Sequence, residues 1–173
     1  MKKWLLIIVG VLVLLAGAIW VVGAMLPKDH VATRMAQFKQ PPEKIWEAIT
    51  DVAGMTSWRS GLKAIERRPD RDGKPAWVEK SDMGDMPLEV TEWHPPQHMV
   101  ARIADPELPF GGTWTYEIAP AEGGATLRIT ERGEVRPALF RFMARFIFGY
   151  TSTIETYLND LGRKFGETTT PQP

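Results

Sequence analysis

From Trp4 to Leu26 the chain carries no charged side chain, reading WLLIIVGVLVLLAGAIWVVGAML. No other feature limits the fold as much, because so long an apolar run has to leave water. At about 1.5 Å per residue these 23 positions make a helix of roughly 34 Å, enough to cross a hydrocarbon core of about 30 Å. Trp4 and Trp20 sit toward its two ends, where indole rings favour the membrane–water boundary. Pro27 stops the helix. The alternative is a cleavable signal peptide, since Lys2-Lys3 makes a charged start and Ala16-Gly17-Ala18 has small-x-small spacing. The apolar stretch, however, continues through Ile19, Trp20, Val21 and Val22, beyond a signal core of about 7–15 residues. Residues 1–27 are therefore expected to form an uncleaved transmembrane anchor, in the membrane over residues 4–26. Lys2 and Lys3 favour a cytoplasmic N-terminus, although Lys28, Arg34 and Lys39 lie on the other flank. The expected placement is a single-pass protein of the cell membrane. Its N-terminus is cytoplasmic and its domain lies on the outer, periplasmic or extracytoplasmic, side.

This segment distorts the bulk composition. The 173-residue chain is 44% hydrophobic with a formal net charge of zero. Residues 27–173 hold 19 basic residues, all 21 acidic ones and all 14 prolines, for a net charge of −2. A domain of that size can bury its own core. Its charge balance offers no electrostatic footprint for nucleic acid, so no nucleic-acid partner is expected. The absence of cysteine excludes a disulfide scaffold, a thiolate metal site and a cysteine nucleophile.

Residues 28–167 are expected to form one domain. Asp29 to about Val31 reads as a linker, and 168–173 (TTTPQP) as a disordered tail. Between them the prolines leave mostly strand-length stretches. Thr33 to Lys39 reads as a first strand. Pro41-Pro42 can open a helix, and Glu43 to Thr50 then puts Ile45, Trp46 and Ile49 on one face. A second short helical turn capped by Asp51 runs to Trp58. Six further strands are expected at 62–68, 75–81, 86–93, 98–104, 112–119 and 125–135. Asp72-Gly73 and Glu122-Gly123-Gly124 supply hairpin turns. Trp114, Tyr116 and Ile118 alternate with polar neighbours, and so do Leu127 and Ile129, the pattern of a half-buried antiparallel sheet. From Pro137 a long helix is expected over Ala138 to Phe165, with Leu139, Met143, Phe146, Tyr150, Ile154, Tyr157 and Leu161 on one stripe. A curved antiparallel sheet of about seven strands on one long helix is an α+β two-layer fold.

This order resembles the SRPBCC superfamily, the helix-grip group that includes START lipid-transfer domains and polyketide cyclases. Several matches run in sequence. Pro42-x-x-x-Trp46, then Ile49-Thr50-Asp51 and Trp58, resembles its first two helices. Val90-x-Glu92-x-x-Pro95-Pro96 resembles its mid-sheet hairpin. Pro109-Phe110-Gly111-Gly112-x-Trp114-x-Tyr116 and Thr126-Leu127-x-Ile129-Thr130-Glu131-x-Gly133-Glu134-Val135 look like its last two strands. Phe140-Arg141-Phe142 to Phe165-Gly166 looks like its C-terminal helix. Coverage is about residues 31–167, and the likeness is to membrane-anchored bacterial members. The resemblance implies a hydrophobic cavity between sheet and C-terminal helix and no specific reaction or cofactor.

The candidate ligand-binding wall is Trp58, Trp77, Phe110, Trp114, Tyr116, Leu127, Ile129, Met143, Phe146, Tyr150, Ile154 and Tyr157. Five of the seven tryptophans lie outside the anchor, and aromatic walls with polar tips suit small-molecule sites. Plain core packing is the competing account of each. Glu92 shares strand parity with Leu88 and Val90, and Glu131 with Leu127 and Ile129. Each is expected to point to the apolar side, where burial raises a carboxyl pKa and makes it a candidate general acid or base. The competing account puts both at strand ends beside Arg102, Arg128 or Arg132. His94 and His98 flank Pro95-Pro96-Gln97 and His30 stands alone, so no metal site is expected. Phe142, Arg145 and Phe148 lie off the buried stripe, and exposed aromatics beside arginine suit a membrane interface. Contact with a loop or partner chain is the other account. Together these readings favour a membrane-tethered domain that binds a hydrophobic small molecule or lipid. A cyclase- or dehydratase-type enzyme using a pocket glutamate and a protein-interaction module are the alternatives.

Overall fold

The computed structural model describes residues 2–82 and 84–173. Helix α1 (Lys2–Met25) meets the domain only near its C-terminal end, where Gly23 is buried, and most of its apolar side chains are exposed. It has the length and composition of a membrane span, a description that a signal sequence near the N-terminus also meets. Leu26–Lys28 connects it to the domain.

Among the described residues seven strands form one antiparallel sheet in the order β1-β7-β6-β5-β4-β3-β2. They are β1 (Asp29–Phe38), β2 (Leu62–Arg71), β3 (Lys74–Ser81), β4 (Gly84–His94), β5 (His98–Ile103), β6 (Phe110–Ala121) and β7 (Gly124–Val135). The two edges are β1 and β2, so the chain between them has to cross one end of the sheet. That crossing is α2 (Pro42–Thr50) and a 3-10 turn (Ala53–Ser57). Proline stands in the first turn of α2, where its missing N–H costs nothing. Ile45, Ala48 and Ile49 are its buried face. The Asp51 carboxylate accepts the Gly54 N–H at 3.1 Å and starts the next turn.

The concave face of the sheet carries the core. Alternation puts Ala32, Ala36 and Phe38 of β1, Tyr116 and Ile118 of β6, and Leu127 and Ile129 of β7 inward. Against them packs α4 (Ser152–Lys164), with Ile154, Tyr157, Leu158 and Leu161 buried. This is the expected α+β helix-grip arrangement.

Three expectations change. The first strand starts at Asp29, because the supposed linker Asp29–Val31 pairs with Glu134–Arg132 of β7. The C-terminal helix is not continuous. A short α3 (Ala138–Met143) passes into a π-helical turn (Ala144–Phe148), which ends at Gly149 with φ +77°. That backbone conformation suits glycine and ends a right-handed helix, so only α4 grips the sheet. Finally, the stretch 168–173 is tied back rather than free. Gly166 (φ +70°) donates to Arg163 O at 3.0 Å and Glu167 N to Gly162 O at 2.8 Å, a Schellman turn. The reversed chain then exchanges two backbone hydrogen bonds between Gln172 and Met35, at 2.8 and 2.9 Å, along the β1 edge.

Candidate functional site

A cleft of about 310 Å³ opens between α4 and the β2–β3 side of the sheet. Its walls include Leu62, Met86, Trp114, Thr156 and Tyr157. Its floor is polar. Arg59, just after the 3-10 turn, sends its guanidinium under the aromatic wall to Glu79 of β3. One nitrogen lies 3.0 Å from Oε2 and the other is bonded to Oε1. Glu79 shares the inward face with Trp77, whose indole N–H donates to Glu79 Oε1 at 3.2 Å. Arg59 also lies 5.1 Å from the Tyr157 ring centre, a cation–π distance. Burial works against the Arg59 charge, but Glu79 outweighs it and holds the guanidinium pKa above its ordinary value. Burial raises the phenol pKa values of Tyr116 and Tyr157, so both hydroxyls stay neutral.

The mouth is held by Asp160 of α4. This almost fully buried carboxylate accepts Ser60 N at 2.5 Å and Ser60 Oγ at 2.7 Å, and it pairs with Arg163. The Tyr157 hydroxyl and the Trp58 indole N–H are buried with no hydrogen-bond partner among the described residues. Their rings meet edge to face at 5.3 Å. Buried polar atoms are seldom left unpaired, and of these two residues Tyr157 is the one that lines the cleft.

A second cluster lies toward the β1 edge. Glu131 of β7 stands between Ala32 of β1 and Trp114 of β6 in the ladder. His30 Nε2 is 3.4 Å from Glu131 Oε1, and its ring stacks on Tyr150 at 4.2 Å. Glycine is required underneath. A Cβ on Gly133 would come within 2.6 Å of His30 Nε2 and 2.9 Å of Glu131 Oε1. Burial raises the Glu131 pKa, while His30 and the Trp114 indole pull it down. Glu131 Oε2 and His30 Nδ1 lack partners among the described residues.

A larger depression of about 580 Å³ lies on the other face of the sheet, lined by Arg68, Asp70, Arg71 and Glu89 among others. There Glu89 is already neutralised by Arg71 and Arg102. The smaller cleft is the better candidate, because it joins the aromatic wall of Trp114 and Tyr157 to a buried charged pair and the unpaired Tyr157 hydroxyl.

The structure divides the expected aromatic wall. Trp114 and Tyr157 line the cleft. Trp77, Tyr116, Leu127, Ile129 and Ile154 are buried in the core. Trp58 is half-buried against Tyr157, and Phe110 is half-buried at the start of β6. Met143 and Tyr150 lie outside the cleft, half-buried. Phe146 is corrected outright. It is 58% exposed, because the helix that was to turn it inward stops at Gly149. Arg145 and Phe148 are exposed as well, while Phe142 is half-buried at 4.9 Å from Phe146.

Glu92 is also corrected. A bulge between Val90 and Glu92 reverses strand parity after Val90, and Glu92 turns outward. It is exposed and lies 3.0 Å from His98. His94 and His98 sit on the same hairpin with rings 5.8 Å apart. Among the described residues no three His, Asp or Glu side chains converge. Sequence reasoning missed Arg59, Ser60, Glu79 and Asp160. Only Glu79 carried a signal, a charge two residues from Trp77 on the same strand face.

The profile of the polyketide cyclase / dehydrase and lipid transport family matches residues 29–163. No curated protein matches the sequence. Among solved structures, a protein from Mesorhizobium loti is 23% identical with a TM-score of 0.54. The match covers 78% of this chain and 97% of that one. A conserved protein from Geobacillus kaustophilus is 15% identical with a TM-score of 0.62, over 82% and 99% of the two chains. The di-domain ARO/CYC StfQ of the steffimycin biosynthetic pathway is 11% identical with a TM-score of 0.61. That match covers 80% of this chain and 52% of StfQ, so this chain spans about half of StfQ. At these identities the likeness is one of fold.

Proposed function

The chain belongs to the polyketide cyclase / dehydrase and lipid transport family, and from that premise we propose that it is a membrane-tethered binding domain for a hydrophobic small molecule or lipid. The observation that carries this reading is the cleft beside α4, where Trp114 and Tyr157 form an apolar wall above the Arg59–Glu79 pair. An apolar ligand body lies against the rings. One ligand oxygen bonds the hydroxyl of Tyr157, which lines the cleft and has no hydrogen-bond partner among the described residues. Each 100 Å² of apolar ligand surface covered contributes about 2.5 kcal/mol before ordering costs. Helix α1 holds the domain at the bilayer.

Native mass spectrometry of the full chain, released from nanodiscs against a panel of lipids and apolar small molecules, tests the reading. A hydrophobe should remain bound to the wild type and be lost from Thr156→Trp, which fills the cleft from its exposed rim. Retention of nothing across the panel, or equal retention by the folded variant, refutes it.

A second reading rests on Glu131. Its raised pKa and unpaired Oε2 suit a proton carrier in cyclase- or dehydratase-type chemistry. Its position behind Trp114 rather than on the cleft wall makes this the weaker of the two.

A further inference from the structure

We propose that the segment Leu139–Phe148 is a second membrane contact, lying in the bilayer surface beside the C-terminal end of α1. The inference deepens the reading above and rests on α1 being a membrane span.

The segment carries an unusual surface. Leu139 (48%), Phe140 (45%), Phe146 (58%), Ile147 (62%) and Phe148 (60%) are all exposed, whereas Val31 is the only other large hydrophobic outside α1 exposed to that degree among the described residues. The five sit within ten residues beside exposed Arg145. An apolar patch with a basic neighbour, on a short helical stretch, is what an interfacial membrane contact needs.

What covers this patch follows from its link to α1. Gly23, in the last turn of α1, is the one buried residue of that helix. It is buried against the backbone of Ala138, so closely that a Cβ there would fall 2.7 Å from the Ala138 carbonyl carbon. Arg141 reaches across, and its Nε donates to Gly23 O at 2.8 Å. The same guanidinium holds Arg136 O at 2.6 Å, so it clamps the helix end to the end of β7. Gly23 lies three residues past Trp20, or about 4.5 Å along the axis. A helix that spans the bilayer with Trp20 at one boundary therefore puts Ala138 and Arg141 at that same boundary. From there the exposed side chains have lipid beside them. The clamp accounts for Arg141 as well, whose charge is buried without a carboxylate partner among the described residues.

The contact also orients the cleft. Ser152 and Thr153 line it and follow Phe148 by four and five residues, so that end of the cleft is tied to the lipid-facing segment through only a short stretch of chain.

The chain has no cysteine, so single-cysteine fluorescent labelling of the full-length protein in phosphatidylcholine–phosphatidylglycerol vesicles is a direct test. Labels go at Phe148→Cys, at Glu122→Cys on the distal β6–β7 hairpin, and at Leu12→Cys within α1. Vesicles carry quenchers at headgroup or mid-bilayer depth, and iodide is added from the water side. The expected result is loss of emission from the Phe148 label with the headgroup-level quencher, from the Leu12 label with the mid-bilayer quencher, and from the Glu122 label with iodide alone. A Leu12 label quenched in mid-bilayer beside a Phe148 label quenched only by iodide overturns the contact and leaves the tether standing. A Phe148 label shielded from both lipid quencher and iodide assigns the patch to protein and also overturns it. A Leu12 label outside the bilayer overturns the tether and the contact together.

Discussion

Replacing Glu79 by methionine is the most direct way to ask what the cleft floor contributes. Glu79 is 5% exposed and holds both terminal nitrogens of Arg59 together with the Trp77 indole N–H. Its removal leaves a partly buried guanidinium without a counter-charge, a change that costs about 3–5 kcal/mol. The orphaned indole donor adds about 1 kcal/mol. A total loss of about 4–6 kcal/mol lowers the melting temperature of a domain this size by roughly 8–24 °C. Arg59→Met/Glu79→Met behaves differently, because two apolar side chains of similar volume replace the pair. Such replacements range from neutral to stabilising by about 1–4 kcal/mol, so the double variant should recover most of what the single one loses. Thermal unfolding of the full chain in detergent, followed by near-ultraviolet circular dichroism, reads both. A cost under about 1 kcal/mol for Glu79→Met, where ~3–5 is expected of a buried pair, refutes the argument. So does a double variant no more stable than the single one. The double variant then keeps the fold while removing the charged floor, so ligand affinity can be measured apart from stability.

Gly133→Ala should drive the His30 ring off Glu131 and Tyr150, at about 1–3 kcal/mol of overpacking. The His30 ring signals in NMR spectra, shifted by the Tyr150 stack, should move toward free-imidazole values. Glu131 carries a raised pKa because of burial, so the folded state binds the extra proton. Its contribution to stability is fully present below the ordinary carboxyl value of about 4.3 and is lost as pH rises through the raised folded value. Glu131→Gln should abolish that loss. Its melting temperature relative to wild type should climb with pH across this window, and a flat difference would show that the carboxyl is not desolvated. Gly23→Leu should separate α1 from α3 without removing α1 from detergent micelles. Limited proteolysis should then cut within 138–148, where the wild type resists.

The sheet was legible because it obeys a local rule. Trp114, Tyr116 and Ile118 of β6 and Leu127 and Ile129 of β7 alternate against polar neighbours, and the structure turns them inward. Glu92 fails the same rule because one extra residue near Thr91 reverses parity for the rest of β4, and composition does not show where a bulge falls. The helix over 138–165 read as continuous because a wheel counts faces and ignores the backbone angles of Gly149. Arg59 was invisible because its partner stands 20 residues away across the sheet. The pairing of His30 with Glu131 was hidden because its segment reads as linker rather than strand. The cleft is thus built mostly from long-range pairings, which sequence periodicity does not encode.

On the proposed reading, in which α1 spans a bilayer and the domain holds a hydrophobic ligand, the clamp between Arg141 and Gly23 bears on how that ligand is exchanged. Only Leu26–Lys28 separates the anchor from the sheet, so even a released domain swings over a distance on the order of 10 Å. With the clamp closed it does not swing at all. On that reading a domain held this way does not ferry between two membranes, because its catchment is one patch of one leaflet. Any acceptor or donor of its cargo must come to that patch by diffusing in the plane or by docking from the aqueous side. Exchange is then limited by the encounter rate at the bilayer surface, and it should scale with the density of the protein in the membrane rather than with the distance to a second membrane.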